Sequence, residues 1–204
     1  AVLAYATVSK YRTGDNPARW QGNLDAVLPK PGKLKKVQHH KAIAWREIGA
    51  FVQSLRERKG TGAKALEFTI LTAARSGEVR GARWDEIDLV TKTWTIPAER
   101  MKTKKEHTVP LCADALTILE SLPRFAGNEL VFPGARGGIL SDVGLTKPIR
   151  AIGSDATVHG FRSTFRDWCA ESTNYPNEVA EMALAHTVSS AVERAYPRGN
   201  LLEK

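Results

Sequence analysis

The chain has 204 residues, 42% hydrophobic and 25% charged, a composition that argues against disorder and leaves room for one substantial core or one large and one small domain. Thirty Lys and Arg against 22 Asp and Glu give a formal net charge of +8, so the expected partner is a polyanion, nucleic acid before an acidic membrane surface. Cys112 and Cys169 stand far apart with no CxxC, which offers neither a disulfide framework nor a cysteine zinc site and fits a reducing, cytoplasmic setting; no apolar run approaches the roughly 20 residues of a membrane span, and AVLAYATVSKYRTG does not read as a secretion signal.

Apolar side chains at Val2, Leu3, Tyr5, Ala6 and Val8, with no capping residue ahead of Ala1, predict that the chain begins inside a helix that stops by Gly14. Asn16-Pro17, Pro29 and Pro31-Gly32 then punctuate a short helical or looped stretch. From Lys30 to Lys41 there are five lysines, two histidines and no acid. This segment reads either as an exposed basic linker or, with equal weight, as a solvated surface loop; a domain boundary is expected near residue 40, between 1–40 and 41–204. From Ala42 to Lys59, Ile48, Phe51, Val52 and Leu55 follow the i, i+3, i+4, i+7 rule of an amphipathic helix, closed by Gly60 and Gly62. A second helix is expected from Gly62 through LEFTILTAARSGEVRGARW, with Leu66, Ile70 and Leu71 inward and Ala73-Ala74 small enough for close packing. EIDLVTKTWTIPAER and EHTVPL predict a small antiparallel hairpin sheet, since Thr93 to Ile96 suit a pleated surface and Lys102 to Glu106 suit a turn. ADALTILESL is helical, LVFPGARGG sits in a Gly/Pro-rich connection, and the last 45 residues are helical again. The fold class expected is mainly α with a small antiparallel β-sheet.

Five short stretches carry candidate chemistry. His159-Gly160-Phe161-Arg162 opens a helix whose Phe161, Phe165, Trp168 and Cys169 fall at i, i+4, i+7 and i+8. His159 and Arg162 share a face, which would point an imidazole and a guanidinium off the buried stripe at a helix N-terminus that favours anions. Alone, the pattern fits better a capping His159 and a solvated Arg162. Arg75 follows Ala73-Ala74 with Glu78 three residues on, so it is either half of a structural ion pair or a planar fork presented to a cleft, where two such forks hold a phosphodiester better than lysines would. Lys102 in MKTKKEH is a mobile ammonium able to reach that cleft, or one surface cation among Arg100, Lys104 and Lys105. His186 reads as a satisfied helix-end histidine. Tyr196 shares a helical stripe with Val188, Val192 and Ala195 and reads as a core aromatic, except that Pro197 pushes it out of the α region.

Taken in order, Arg75 in TAARSGEVRGARWDEID, Lys102 in a hairpin ending HTVPL, His159-x-x-Arg162 in VHGFR, His186 in ALAH and Tyr196 in ERAYPRG resemble the Arg…Lys…His-x-x-Arg…His/Trp…Tyr signature of the tyrosine recombinases. The resemblance covers residues 40–204 and is nearest the phage and genomic-island integrases of the P4 type. Residues 1–40 resemble the end of that family's helical core-binding domain, with the preceding arm-binding domain and the last C-terminal segment expected to be missing. Three departures stand out: Ala185 where many members have Gly, Ala74 before the first Arg where Gly-x-Arg is common, and Pro197 after the tyrosine.

The resemblance implies the DNA breaking and rejoining catalytic fold and a site-specific recombinase acting through a 3′-phosphotyrosyl intermediate to integrate or excise a prophage or genomic island. It implies Tyr196 as nucleophile, Arg75 and Arg162 on the non-bridging oxygens, Lys102 as acid for the 5′-oxygen, His159 taking or relaying the tyrosine proton and His186 hydrogen-bonding the phosphate, with no metal or other cofactor. Lys33, Lys35, Lys36, Lys104 and Lys105 are expected on DNA. The implied partners are double-stranded DNA at attachment sites, three further copies in a homotetramer on DNA from a chain that is monomeric when free, and accessory DNA-bending and directionality factors, in the bacterial cytoplasm at the nucleoid and away from any membrane. Two other readings stay open: a type IB topoisomerase with the same chemistry, and a non-catalytic DNA-binding protein.

Overall fold

The computed structural model describes residues 2–29 and 40–186, which fall into two units, Ala1–His39 and His40–Lys204. The first holds helix α1, Val2–Val8, a turn at Trp20–Leu24 in which Gly22 takes a φ of 75°, and one helical turn α2, Asp25–Val27. Its apolar side chains find little to pack on: Val2, Tyr5, Val8 and Tyr11 are all exposed.

In the second unit a 3₁₀ turn, Trp45–Glu47, leads into α3, Ile48–Arg56, which buries Phe51 and Leu55 of the predicted stripe. Helix α4, Thr61–Thr72, is apolar or small on most sides and becomes the central helix, burying Ala63, Ala65, Leu66 and Phe68. The sequence suggests that α4 continues to Trp84, but it stops at Ala73, which adopts a left-handed φ of 49°. The chain turns extended at Arg75 and restarts as α5, Ser76–Arg80, because the Glu78 carboxylate accepts the Arg75 backbone N–H at 2.8 Å and so caps the new helix.

Strands β1 (Ile87–Asp88), β2 (Thr93–Ile96) and β3 (His107–Pro110) form an antiparallel sheet in that order, with Trp94 opposite Val109 and Ile96 opposite His107. The period of two turns Trp94 and Ile96 into the core. Trp94 packs on Phe68 of α4 with ring centroids 5.4 Å apart, and its indole N–H donates to Glu86 at 3.0 Å, so the largest core side chain leaves no donor unsatisfied. Helix α6, Ala113–Glu120, forms where the sequence predicts a helix and packs on α4.

Helix α7, Asp142–Ala151, lies in the stretch that reads as a Gly/Pro-rich connection. Ser141 Oγ caps it at the Gly144 N–H. Pro148 brings no N–H for the Gly144 carbonyl, which instead lies against Gly62 of α4, where a Cβ would overlap it. Gly62 on α4 allows this close crossing, and Pro148 leaves the Gly144 carbonyl free to face it.

Helices α8, Gly160–Ser172, and α9, Asn177–Ala183, are divided by an extended turn. Phe161 and Cys169 of the predicted α8 stripe are buried, whereas Trp168 is 40% exposed, beyond the reach of the described core. Both cysteines are free, and no helix among the described residues is long and apolar enough to cross a membrane.

The segment entering this unit straps the start of α8. The Lys41 carbonyl accepts the Thr157 N–H at 2.9 Å, the Ile43 carbonyl accepts the Thr164 hydroxyl at 2.6 Å, and the Lys41 ammonium pairs with Asp155. Gly160 is required here because a Cβ would overlap the Lys41 carbonyl. Gly160→Ala should therefore cost about 1–3 kcal/mol of stability, the usual range for overpacking. Denaturant unfolding checks this, and an unchanged midpoint would contradict the close approach.

Candidate active site

Two helix ends, one helix start and the β2–β3 turn meet at one cleft. The end of α9 is a Schellman turn: Ala185 N–H donates to Met182 O at 2.8 Å, His186 N–H donates to Glu181 O at 2.9 Å, and Ala185 takes a left-handed φ of 48°. The end of α4 is the left-handed Ala73. Both ends leave carbonyls without helical partners and with partial negative charge.

Arg162, in the first turn of α8, satisfies both. Its Nη1 donates to the Ala73 carbonyl and its Nη2 to the Leu184 carbonyl at 2.6 Å, with the same Nη2 3.2 Å from His186 Nε2. The sequence pattern places Arg162 off the buried stripe; the structure corrects this, since Arg162 is only 5% exposed. The reason is that its partners are main-chain oxygens, which pull a guanidinium inward without any acidic side chain in the sequence to signal it. Burial first, and the Arg75 charge beside it second, bring the Arg162 guanidinium down to about 10, so it remains charged at neutral pH. Its Nε is buried and has no partner among the described residues.

Arg75 answers both of its sequence readings. It pairs with buried Glu78 at 2.9 Å, and its Nη2 donates across the cleft to the Ala185 carbonyl at 3.1 Å. Glu78 therefore fixes the direction of the Arg75 fork as well as capping α5, a role whose sequence signal was the three-residue spacing alone. Arg100, which the sequence treats only as a surface cation, bonds the Glu86 carboxylate and the Glu78 carbonyl. It thereby ties the base of the β2–β3 turn to α5.

Lys102 is exposed on that turn and lines a hollow of about 560 Å³ together with Arg75, Arg100, His159 and Arg162. It also lines a second hollow of about 460 Å³ with Arg75, Glu181 and His186. Lys104 lies on the rim of the first, while Lys105 is exposed and lines neither. A separate hollow of about 340 Å³ contains Arg56, Glu67 and Asp114, but Arg56 pairs with both acids, at 2.5 and 2.7 Å, leaving little unpaired charge to recognise a ligand.

His159 is the residue ahead of α8 and remains exposed, its ring centroid 4.5 Å from that of His40. Partial burial first, then the charges of His40, Arg162, Arg75 and His186, hold its imidazole below the usual range. It is therefore neutral at neutral pH and able to accept a proton. His107 on β3 is another imidazole at this site that the sequence pattern did not single out. Burial lowers it, the Arg75 and Arg162 charges add to that, and Glu78 and a hydrogen bond to the Ala183 carbonyl oppose it.

The structure thus brings together Arg75, Lys102, His159, Arg162 and His186. Tyr196, Lys33, Lys35 and Lys36 lie outside the described residues. Among the described residues no group of three or more His, Cys, Asp or Glu side chains could hold a metal ion. A cleft of converging guanidinium, ammonium and imidazole groups can bind a phosphodiester and move protons at its oxygens.

Known proteins agree with this architecture. The model of the phage integrase family matches residues 43–201. The integrase of Enterobacteria phage P4 is 30% identical over 217 residues, covering 96% of this chain and 48% of that protein. Prophage integrase IntZ of Escherichia coli (strain K12) is 36% identical over 209 residues, covering 100% of this chain and 50% of that protein. The chain spans about half the length of these relatives. A lambda integrase tetramer bound to a Holliday junction shares the fold, with a TM-score of 0.63 at 18% identity over 93% of this chain and 56% of that one. From its helices and small sheet to the match across most of its second unit, the chain belongs to the phage integrase family.

Proposed function

We propose that the chain is the catalytic part of a site-specific DNA recombinase that cleaves and rejoins strands through a 3′-phosphotyrosyl intermediate, integrating or excising a prophage or genomic island. The observation that carries this reading is the convergence of Arg75, Lys102, His159 and Arg162 on one cleft, with His186 against Arg162. The phenolic oxygen of Tyr196 attacks the DNA phosphorus, the bond from phosphorus to the 5′-oxygen breaks, and the 3′-phosphate stays joined to the tyrosine. His159 takes the phenolic proton and Lys102 gives one to the departing 5′-oxygen. Arg75 and Arg162 stabilise the charge on the non-bridging oxygens, a role that metal ions fill in many phosphoryl-transfer enzymes, and His186 hydrogen-bonds the phosphate. Attack by a 5′-hydroxyl reverses the step and seals the strand.

In this reading residues 1–40 are the end of a core-binding domain with a basic linker and residues 41–204 the catalytic domain. Lys33, Lys35, Lys36, Lys104 and Lys105 neutralise DNA phosphates. The lambda integrase tetramer bound to a Holliday junction supports a homotetramer on DNA; when free, the chain is monomeric in this reading. Accessory DNA-bending and directionality factors complete the assembly, in the bacterial cytoplasm at the nucleoid.

On a nicked suicide substrate the unmodified chain should form a covalent DNA adduct, and Tyr196→Phe should form none while binding DNA with nearly unchanged affinity. Adduct formation by the Phe variant would overturn the nucleophile. The general acid is tested by a bridging 5′-sulfur, whose thiolate departs without a proton. Lys102→Ala should be slow on ordinary DNA and near the unmodified rate on the 5′-thio substrate, whereas Arg75→Ala should stay slow on both. Rescue of Lys104→Ala or Lys105→Ala in place of Lys102→Ala would move the acid elsewhere on the turn.

A further inference from the structure

His186 has two neighbours that each dictate where its proton sits. Its Nε2 lies 3.2 Å from Nη2 of Arg162, a nitrogen that only donates, so Nε2 must accept. Its Nδ1 lies 2.7 Å from Oε2 of Glu181, a carboxylate oxygen that accepts, so Nδ1 must carry the hydrogen. Both contacts demand the same tautomer. The backbone makes this possible, since residues five apart on a continuing helix would point to different sides. The Schellman turn, closed by His186 N–H on Glu181 O at 2.9 Å, folds His186 back over Glu181.

Among the described residues, Glu181 is the acid that lines this corner. The hollow it lines with His186 is bordered by Arg75 at the start of α5 and Lys102 on the β2–β3 turn. From α8, Arg162 faces His186 and Arg166 lies 3.1 Å from Glu181 Oε1, out of line for a hydrogen bond. His159 lies close enough to feel the His186 charge, and His107 on β3 stands at the same site. The Glu181 side chain is 18% exposed, which shields its contact with the ring from competing water.

We propose that Glu181 is a positioning residue for the transfer reaction: by holding a proton on Nδ1 of His186 it reserves Nε2 for the cleft. There Nε2 accepts from Arg162 while the ring is neutral; a proton taken up from solvent turns Nε2 into a donor, which then gives up the Arg162 contact and donates to an oxygen of the phosphodiester. The assignment rests on the recombinase reading for its chemistry, and on the two contacts of His186 for its geometry. Carboxylates that orient an imidazole from its far nitrogen typically matter by about 10–100-fold where the imidazole serves a metal, and the same orientation is needed here.

Two measurements on the whole chain test it. With ¹⁵N-labelled histidine, His186 identified by the signal lost in His186→Asn, the neutral ring should carry its hydrogen on Nδ1 in the unmodified chain. In Glu181→Ala, where only the Arg162 contact still favours that form, the tautomer with hydrogen on Nε2, which free histidine favours, should become populated beside it. Glu181→Gln keeps the shape but can donate to Nδ1, so it should show the same change should the Ala variant fail to fold. Hydrogen on Nε2 in the unmodified chain, or no change in either variant, would overturn the proposal. In single turnover, Glu181→Ala should slow adduct formation about tenfold or more, yet cause no further loss in a His186→Ala background, because it acts through that ring. Equal losses in both backgrounds would mark Glu181 as a general structural tie and also overturn the proposal. If the unmodified chain forms no adduct, the recombinase reading fails, and the tautomer measurement still decides the placement of the proton.

Discussion

A buried guanidinium held by main-chain oxygens is the constraint on which the cleft depends. Arg162 is nearly inaccessible, and a charge taken out of water needs compensation. Had a carboxylate supplied it, the pair would be close to neutral and of little use to an anion. Here the compensation comes from the Ala73 and Leu184 carbonyls, so the positive charge is stabilised without being cancelled. Arg75 differs, since Glu78 pairs with it directly and sets its direction. One arginine supplies net charge and the other supplies orientation, and both reach the turn that ends α9.

Those helix ends carry their own cost. Ala73 and Ala185 both stand at left-handed φ, of 49° and 48°, where a residue with a Cβ is disfavoured by roughly 1–2 kcal/mol. The Gly-x-Arg pattern, counted back from Arg75, places its glycine at Ala73, the residue that turns left-handed. The resemblance to the tyrosine recombinases likewise implies glycine at the position of Ala185. In each case the strained residue's own carbonyl accepts from a cleft arginine, Ala73 from Arg162 and Ala185 from Arg75. Strain in the turns and bonds of the arginines are therefore parts of one balance: the turns create the free carbonyls, and the guanidiniums hold the turns.

What the sequence discloses follows from which residues carry the interaction. The α3 stripe and the β2 alternation are side-chain periodicities, so Phe51, Leu55, Trp94 and Ile96 fall inside as their spacing implies. The end of α4 at Ala73 is not legible, because alanine is the best helix former and gives no stop signal. Helix α7 is hidden by Gly144 and Pro148, and its close contact with α4 depends on Gly62. Among the site residues, Arg75, Lys102, His159, Arg162 and His186 were recognisable from their order, but the burial of Arg162 was not, since backbone carbonyls leave no mark in a sequence. Glu181 was equally silent, because its five-residue separation from His186 matches no helical spacing and is brought together only by the turn that ends α9.

In the proposed reaction the phosphate lies against a guanidinium that bridges two helix ends, a geometry that a single ammonium cannot reproduce. The most direct measurement is the single-turnover rate of covalent adduct formation by Arg162→Lys on a nicked DNA substrate. The expected rate is lower by about 10² or more, the usual loss when a preorganised transition-state donor is removed. A lysine variant that forms the adduct at the unmodified rate would contradict it, since charge alone would then suffice and the grip of Arg162 on the Ala73 and Leu184 carbonyls would have no part in the reaction.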